Sequence, residues 1–89
     1  MLYFYGLTSQ IDHLNKVSDW LKTNGLSVDM KFADINEDAK IHVQQYGFTV
    51  LPVLFHIGGP TAEMIKISDG GNIMNMTAEQ IAAIKAMPE

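Results

Sequence analysis

The residues best suited to ligate a metal or move a proton are three histidines, His13, His42 and His56. Their spacing matches no zinc motif, and with no cysteine in the chain none can be completed by a thiolate. A structural role or plain exposure accounts for each. The hydroxyls of Tyr5, Thr8 and Ser9 lie near the first glycine, and with no cysteine there is no thiol nucleophile. Gly58-Gly59 and Gly70-Gly71 lack the following helix and Lys that a phosphate loop requires, so nucleotide binding has little support. The residue types imply no cofactor and no metal.

Composition narrows the classes further. Hydrophobic residues make up 47% of the 89 positions and charged residues 18%, which is too apolar for a disordered segment and enough for one modest core. A single domain over residues 1–89 is expected. The net charge is −4, and the six lysines, Lys16, Lys22, Lys31, Lys40, Lys66 and Lys85, are scattered with no Arg among them. That pattern argues against nucleic acid, whose binders cluster basic residues against phosphate. The first ten residues, MLYFYGLTSQ, carry no basic group and too short an apolar run for a signal peptide or membrane span. A cytoplasmic protein without a membrane partner is the expectation.

Stepping along the chain, Leu2 to Tyr5 reads as a strand buried on both faces and ending at Gly6. Ser9-Gln10-Ile11-Asp12 resembles a capping box with Asp at the reciprocal position. Ile11, Leu14, Val17 and Leu21 follow at helical spacing, with Trp20 at the margin and Asn24-Gly25 as the stop. From Leu26 to Phe32 apolar residues alternate with polar ones, as in an edge strand. Asn36 caps a second helix, in which Ala39, Val43 and Tyr46 share a face before Gly47. Phe48 to Ile57 and Ala62 to Ile67 read as two strands joined by the turn Gly58-Gly59-Pro60-Thr61. A polar stretch from Ser68 to Met76 leads to Thr77-Ala78-Glu79-Gln80, a second capping box, with Ile81 and Ile84 on the last helix. The order is β-α-β-α-β-β-α. A βαβ start and a hairpin in one chain predict an α/β fold with a four-stranded mixed sheet covered by helices.

Tyr46-Gly47-Phe48-Thr49-Val50-Leu51-Pro52-Val53-Leu54-Phe55, followed by Gly58-Gly59, resembles the stretch of thioredoxins and glutaredoxins in which a helix ends in Tyr-Gly and leads to a cis-proline, an apolar strand and a glycine turn. Asp34-Ile35-Asn36 is similar to the family's acidic strand end, and Asp69-Gly70-Gly71 to its loop after the last strand. The likeness runs over nearly the whole chain and implies a thioredoxin-like fold. The family's Cys-x-x-Cys falls on Thr8-Ser9-Gln10-Ile11, its preceding aromatic residue on Leu7, and its buried acid on Leu2. Nucleophile, resolving thiol and proton-handling carboxylate are thus missing together. Exchange needs a thiolate, and no hydroxyl replaces it. The chain is expected not to be a dithiol oxidoreductase.

What the resemblance leaves is a groove in which the backbone beside Pro52 pairs with an extended peptide. Its walls would be Leu7, Thr8 and Ser9, then Leu51 and Pro52, then Asp69, Gly70, Gly71 and Ile73. Free N–H groups at the start of the first helix could also hold an anion. The implied function is a redox-inactive binding or assembly module for a protein or peptide partner, of the accessory kind a virus could derive from a reductase (then acting in the host cytoplasm). The alternative is a degenerate glutaredoxin-like or glutathione-binding protein, with Thr8, Ser9 or Tyr5 imitating the hydroxyl nucleophile of glutathione transferases. Two further surfaces are expected: an exposed Ile73-Met74-Met76 patch, and an unpaired edge, either Leu26 to Phe32 or the last strand, able to form a homodimer.

Overall fold

Leu2–Gly6 forms β1, the inner strand on which the rest is assembled in the computed structural model, which describes residues 1–88. After a 3-10 turn at Thr8–Gln10 comes α1, Ile11–Thr23, and then β2, Val28–Phe32. The chain continues through α2, Glu37–Tyr46, the strands β3, Val53–Gly58, and β4, Glu63–Asp69, a 3-10 turn at Gly70–Asn75, and α3, Ala78–Lys85. The sheet runs in the order β2-β1-β3-β4, with β1 parallel to β2 and β3 antiparallel to both neighbours. This is a small α/β domain with a four-stranded mixed sheet and helices on both faces.

Alternation along β1 divides the interior. Leu2 and Phe4 point into a core shared with Leu14, Val17 and Leu21 of α1, Ile81 and Ile84 of α3, and Leu54. Tyr5 points the other way, with Val53 and Phe55, into a core closed by Ala39, Val43 and Tyr46 of α2. Phe4, Tyr5, Leu14, Val17, Leu21, Leu54 and Phe55 are fully buried. Each such side chain contributes about 1.5–3 kcal/mol when withdrawn from water. The second core is largely aromatic. Phe55 lies 5.0 Å from both Tyr5 and Phe48 and 5.3 Å from Tyr3, ring centre to ring centre.

Several element boundaries differ from the sequence expectation, each for a local reason. Ser9 does not cap the first helix. The chain enters it through the 3-10 turn, where Gln10 N–H donates to Leu7 C=O at 2.9 Å and Gln10 Oε1 accepts from Leu7 N–H at 3.0 Å. Ile11 then falls outside the buried stripe and is 47% exposed. The first edge strand begins at Val28, because Leu26 is used in the helix stop, its N–H donating to Leu21 C=O beside Gly25 at φ +79°. The third strand begins only at Val53. Phe48 to Pro52 forms an irregular approach, with Phe48 turned onto the ring cluster and Pro52 lacking an N–H for the ladder. The fourth strand starts at Glu63 and runs on to Asp69, and the polar stretch after it folds into a turn that buries Ile73 completely and leaves Met76 only 9% exposed. No Ile73-Met74-Met76 patch exists. By contrast, the caps at Asn36 and Thr77 form as the sequence predicts, Asn36 Oδ1 accepting from Ala39 N–H at 3.0 Å and Thr77 exchanging bonds with Gln80.

At Gly6 the side chain of Leu14 from α1 packs directly against β1. A Cβ built there would lie 2.5 Å from Cδ2 and 2.6 Å from Cδ1 of Leu14, which is fully buried, so the Leu14 side chain would have to shift within the core. Gly6→Ala should therefore destabilise the domain by about 1–3 kcal/mol through overpacking. Leu14→Ala should cost about 2–5 kcal/mol through the cavity it leaves. In urea denaturation the Gly6→Ala penalty is expected to shrink in the Leu14→Ala background. Additivity within about 0.5 kcal/mol would show that the two side chains do not compete for one space.

Candidate functional site

Two separate stretches meet at the start of α1 and the entry to β3. Gln10 joins them. Its Nε2 donates to Leu51 C=O at 3.1 Å while its Oε1 holds Leu7 N–H, so one amide side chain fastens the helix entry to the loop before β3. The Leu51–Pro52 peptide is cis, with Pro52 buried and Leu51 half-buried. Pro52 C=O in turn accepts from Gly70 N–H at 2.8 Å, which brings in the turn after β4. Gly70 has φ +55°, and a Cβ on it would lie 3.5 Å from Cγ1 of Val50. This hydrogen-bonded path brings Leu7, Thr8, Leu51, Pro52 and Gly70 together. Asp69 is at the rim, ion-paired with Lys66 Nζ at 2.8 Å, and with Tyr46, Phe48 and Val50 it borders a cleft of about 180 Å³. Gly71 is exposed beside it, and its C=O accepts from Asn75 Nδ2 at 3.3 Å. Ser9 is exposed. Ile73 is not a wall of this site, because it is wholly inside the α1 core.

At the helix entry the N–H groups of Leu7 and Thr8 already have acceptors within the chain. Thr8 N–H points at the carboxylate of Asp34, 3.2 and 3.3 Å from its two oxygens, and Thr8 Oγ1 donates to Asp34 Oδ2 at 2.5 Å. Asp34 follows β2, and Ala33 N–H donates to Gly6 C=O at 2.7 Å, so the parallel β1–β2 pairing delivers the carboxylate there. The hydrogen bond from the Thr8 hydroxyl, reinforced by Thr8 N–H, holds the Asp34 carboxyl below its ordinary range. A negative group thus sits where an incoming carboxylate would have to bind. With Leu7 N–H taken by Gln10 and Thr8 N–H by Asp34, these two groups are not free to hold an anion.

Tyr5 is also removed from the site. Its hydroxyl lies in the aromatic core, 2.7 Å from His42 Nδ1, with the two rings stacked at 5.8 Å. Burial pushes the phenol pKa up, so it stays protonated and supplies no oxyanion near α1. His56 is buried in β3 with its Nε2 3.3 Å from the Met1 amino nitrogen. Among the described residues, no cluster of His, Asp and Glu is placed to hold a metal ion, and no helix is long and apolar enough to cross a membrane.

Sequence reasoning passed over Gln10 and undervalued Asp34. The signal for Gln10 was present: a Gln three positions after Leu7 is the reciprocal half of a capping box, here with no hydroxyl at the cap. Asp34 lies 26 residues from Thr8, and only the β1–β2 register brings them together.

Thr8→Val removes the hydroxyl while keeping the side-chain shape. The Asp34 carboxyl should then titrate closer to its ordinary value of 3.8, as read from its side-chain carbon resonance. A depressed folded-state pKa contributes stability above the unfolded value and loses it as pH falls through the folded one. The stability gap between the parent and Asp34→Asn should accordingly be present at neutral pH and close in acid; a gap unchanged across that range would count against the Thr8–Asp34 contact. No protein-family model matches this chain, and neither a curated protein nor a solved structure gives a significant match to it.

Proposed function

We propose that the chain is a thioredoxin-like domain without redox activity, which binds an extended protein segment along Leu51 and Pro52, with Thr8, Ser9 and Gly70 beside it. The observation that carries the reading is the Gln10–Leu51 contact, because it sets the residue before Pro52 against the entry of α1. The element order and the strand order β2-β1-β3-β4 support it as well. Without cysteine the site has no sulfur to exchange, and function follows the site and not the architecture around it.

Leu51 offers one half of a strand-pairing position. Its C=O is taken by Gln10, but its N–H has no acceptor among the described residues. A partner strand would therefore supply a carbonyl to Leu51 N–H and lie over exposed Val50, Thr8 and Ser9. Glutathione is the weaker reading, since the Asp34 carboxylate already occupies Thr8 N–H and would repel the ligand's carboxylates. The partner surface is expected to be neutral or basic for the same reason.

A display library of unstructured peptides panned against the protein tests this. Peptides enriched over a Pro52→Ala control, titrated into isotope-labelled protein, should shift the amide signals of Thr8, Leu51 and Gly70 most. Equal recovery by the control, or shifts confined to a distant face, would remove the groove reading. Millimolar glutathione should leave the same signals in place.

A further inference from the structure

β2 closes one edge of the sheet, and a single contact fixes which of its peptide groups face outward. Ala33 N–H donates to Gly6 C=O, so the peptide groups of Ala33, Lys31 and Asp29 turn toward β1. Successive residues of a strand aim their N–H and C=O at opposite edges. Those of Val28, Met30 and Phe32 therefore turn away from the sheet. Side chains alternate in the other direction. Asp29 and Lys31 line a cleft on the α2 face with Tyr3 and His42, while Val28, Met30 and Phe32 pack against the α1 core. All residues of β2 are only half-buried, and the strand carries neither Pro nor Gly to blunt its edge.

We propose that β2 pairs antiparallel with β2 of a second copy about a two-fold axis through Met30, joining the two sheets into one. Charge complementarity selects the occupant and the register. Val-Asp-Met-Lys-Phe is self-complementary when reversed: Asp29 comes opposite Lys31 of the second copy, and Lys31 opposite its Asp29. Within one copy Lys31 Nζ is already 3.5 Å from Asp29 Oδ2, so both groups stand on the same side and the pair of copies forms an alternating square of charges. On the opposite face Val28 meets Phe32 and Met30 meets Met30, covering apolar surface that one copy leaves half-open. The Met30 residues exchange N–H to C=O bonds, and each Phe32 N–H reaches a Val28 C=O. Phe32 C=O takes no part, as it already accepts from Ile35 and Asn36.

The other edge suits this less. β4 pairs irregularly with β3 at Leu54/Phe55, and a two-fold about its middle residue sets Lys66 against Lys66 and Glu63 against Asp69.

Sedimentation equilibrium over a concentration series should give a mass approaching twice the 9.9 kDa of one chain. Lys31→Asp turns both opposite-charge cross-strand pairs into like-charge pairs and should weaken the dimer by roughly tenfold or more. Asp29→Lys should do the same. The double exchange Asp29→Lys/Lys31→Asp restores every pairing and should restore the dimer, with far-UV circular dichroism showing that each variant keeps the parent fold. A single-chain mass up to millimolar protein overturns the proposal. So does a dimer indifferent to Lys31→Asp, or one that the double exchange fails to recover.

Discussion

Everything in this domain is organised by β1, a strand with no solvent-facing side. Phe4 and Tyr5 are neighbours in sequence yet belong to different cores, because the pleat sends consecutive side chains to opposite faces. One short segment therefore dictates where α1 and α3 gather and where α2 must lie. It also sets the register of β2 and β3, and through them the positions of Asp34 and Pro52. A substitution in β1 acts on the core its own side chain enters, and because both faces are covered every position of the strand except Tyr3 is buried.

The helix entry shows how a place suited to anionic ligands can be closed from within. Exposed N–H groups at a helix start attract anions. Here the chain supplies its own partners, the Asp34 carboxylate to Thr8 and the Gln10 amide to Leu7. The first is negative and the second neutral, and together they leave a polar, mildly acidic surface. Such a surface disfavours a small anion at the N–H groups of Leu7 and Thr8.

Much of this fold was legible in advance, and the legible parts share a cause. Helix stops at Gly25 and Gly47, caps at Asn36 and Thr77, and the turn at Gly58-Gly59 are written in neighbouring residues, so local chemistry specifies them. The misreadings have a cause of their own. Ser9 has the residue type of a cap, but the entry turn is closed by Gln10 against Leu7, and the Gln10 amide is held there by a loop 41 positions away. Ile73 sits in a polar stretch and looked exposed, yet the core beside α1 needed one more apolar group and the 3-10 turn delivers it. Periodicity reports which side of an element is apolar. It does not report which distant segment will cover it.

The two faces of the sheet are unequally protected. One is covered by α1, α3 and the turn before it, with many side chains fully enclosed. The other relies on α2, whose only fully enclosed residue is Ala39. Such an arrangement gives the molecule a hierarchy of opening reactions in place of a single one. Amide protons of α2 will exchange with solvent through a partial opening that leaves β1 and α1 intact, and that excursion lifts His42 off the Tyr5 ring it stacks on and uncovers Tyr5 and Phe55 to water.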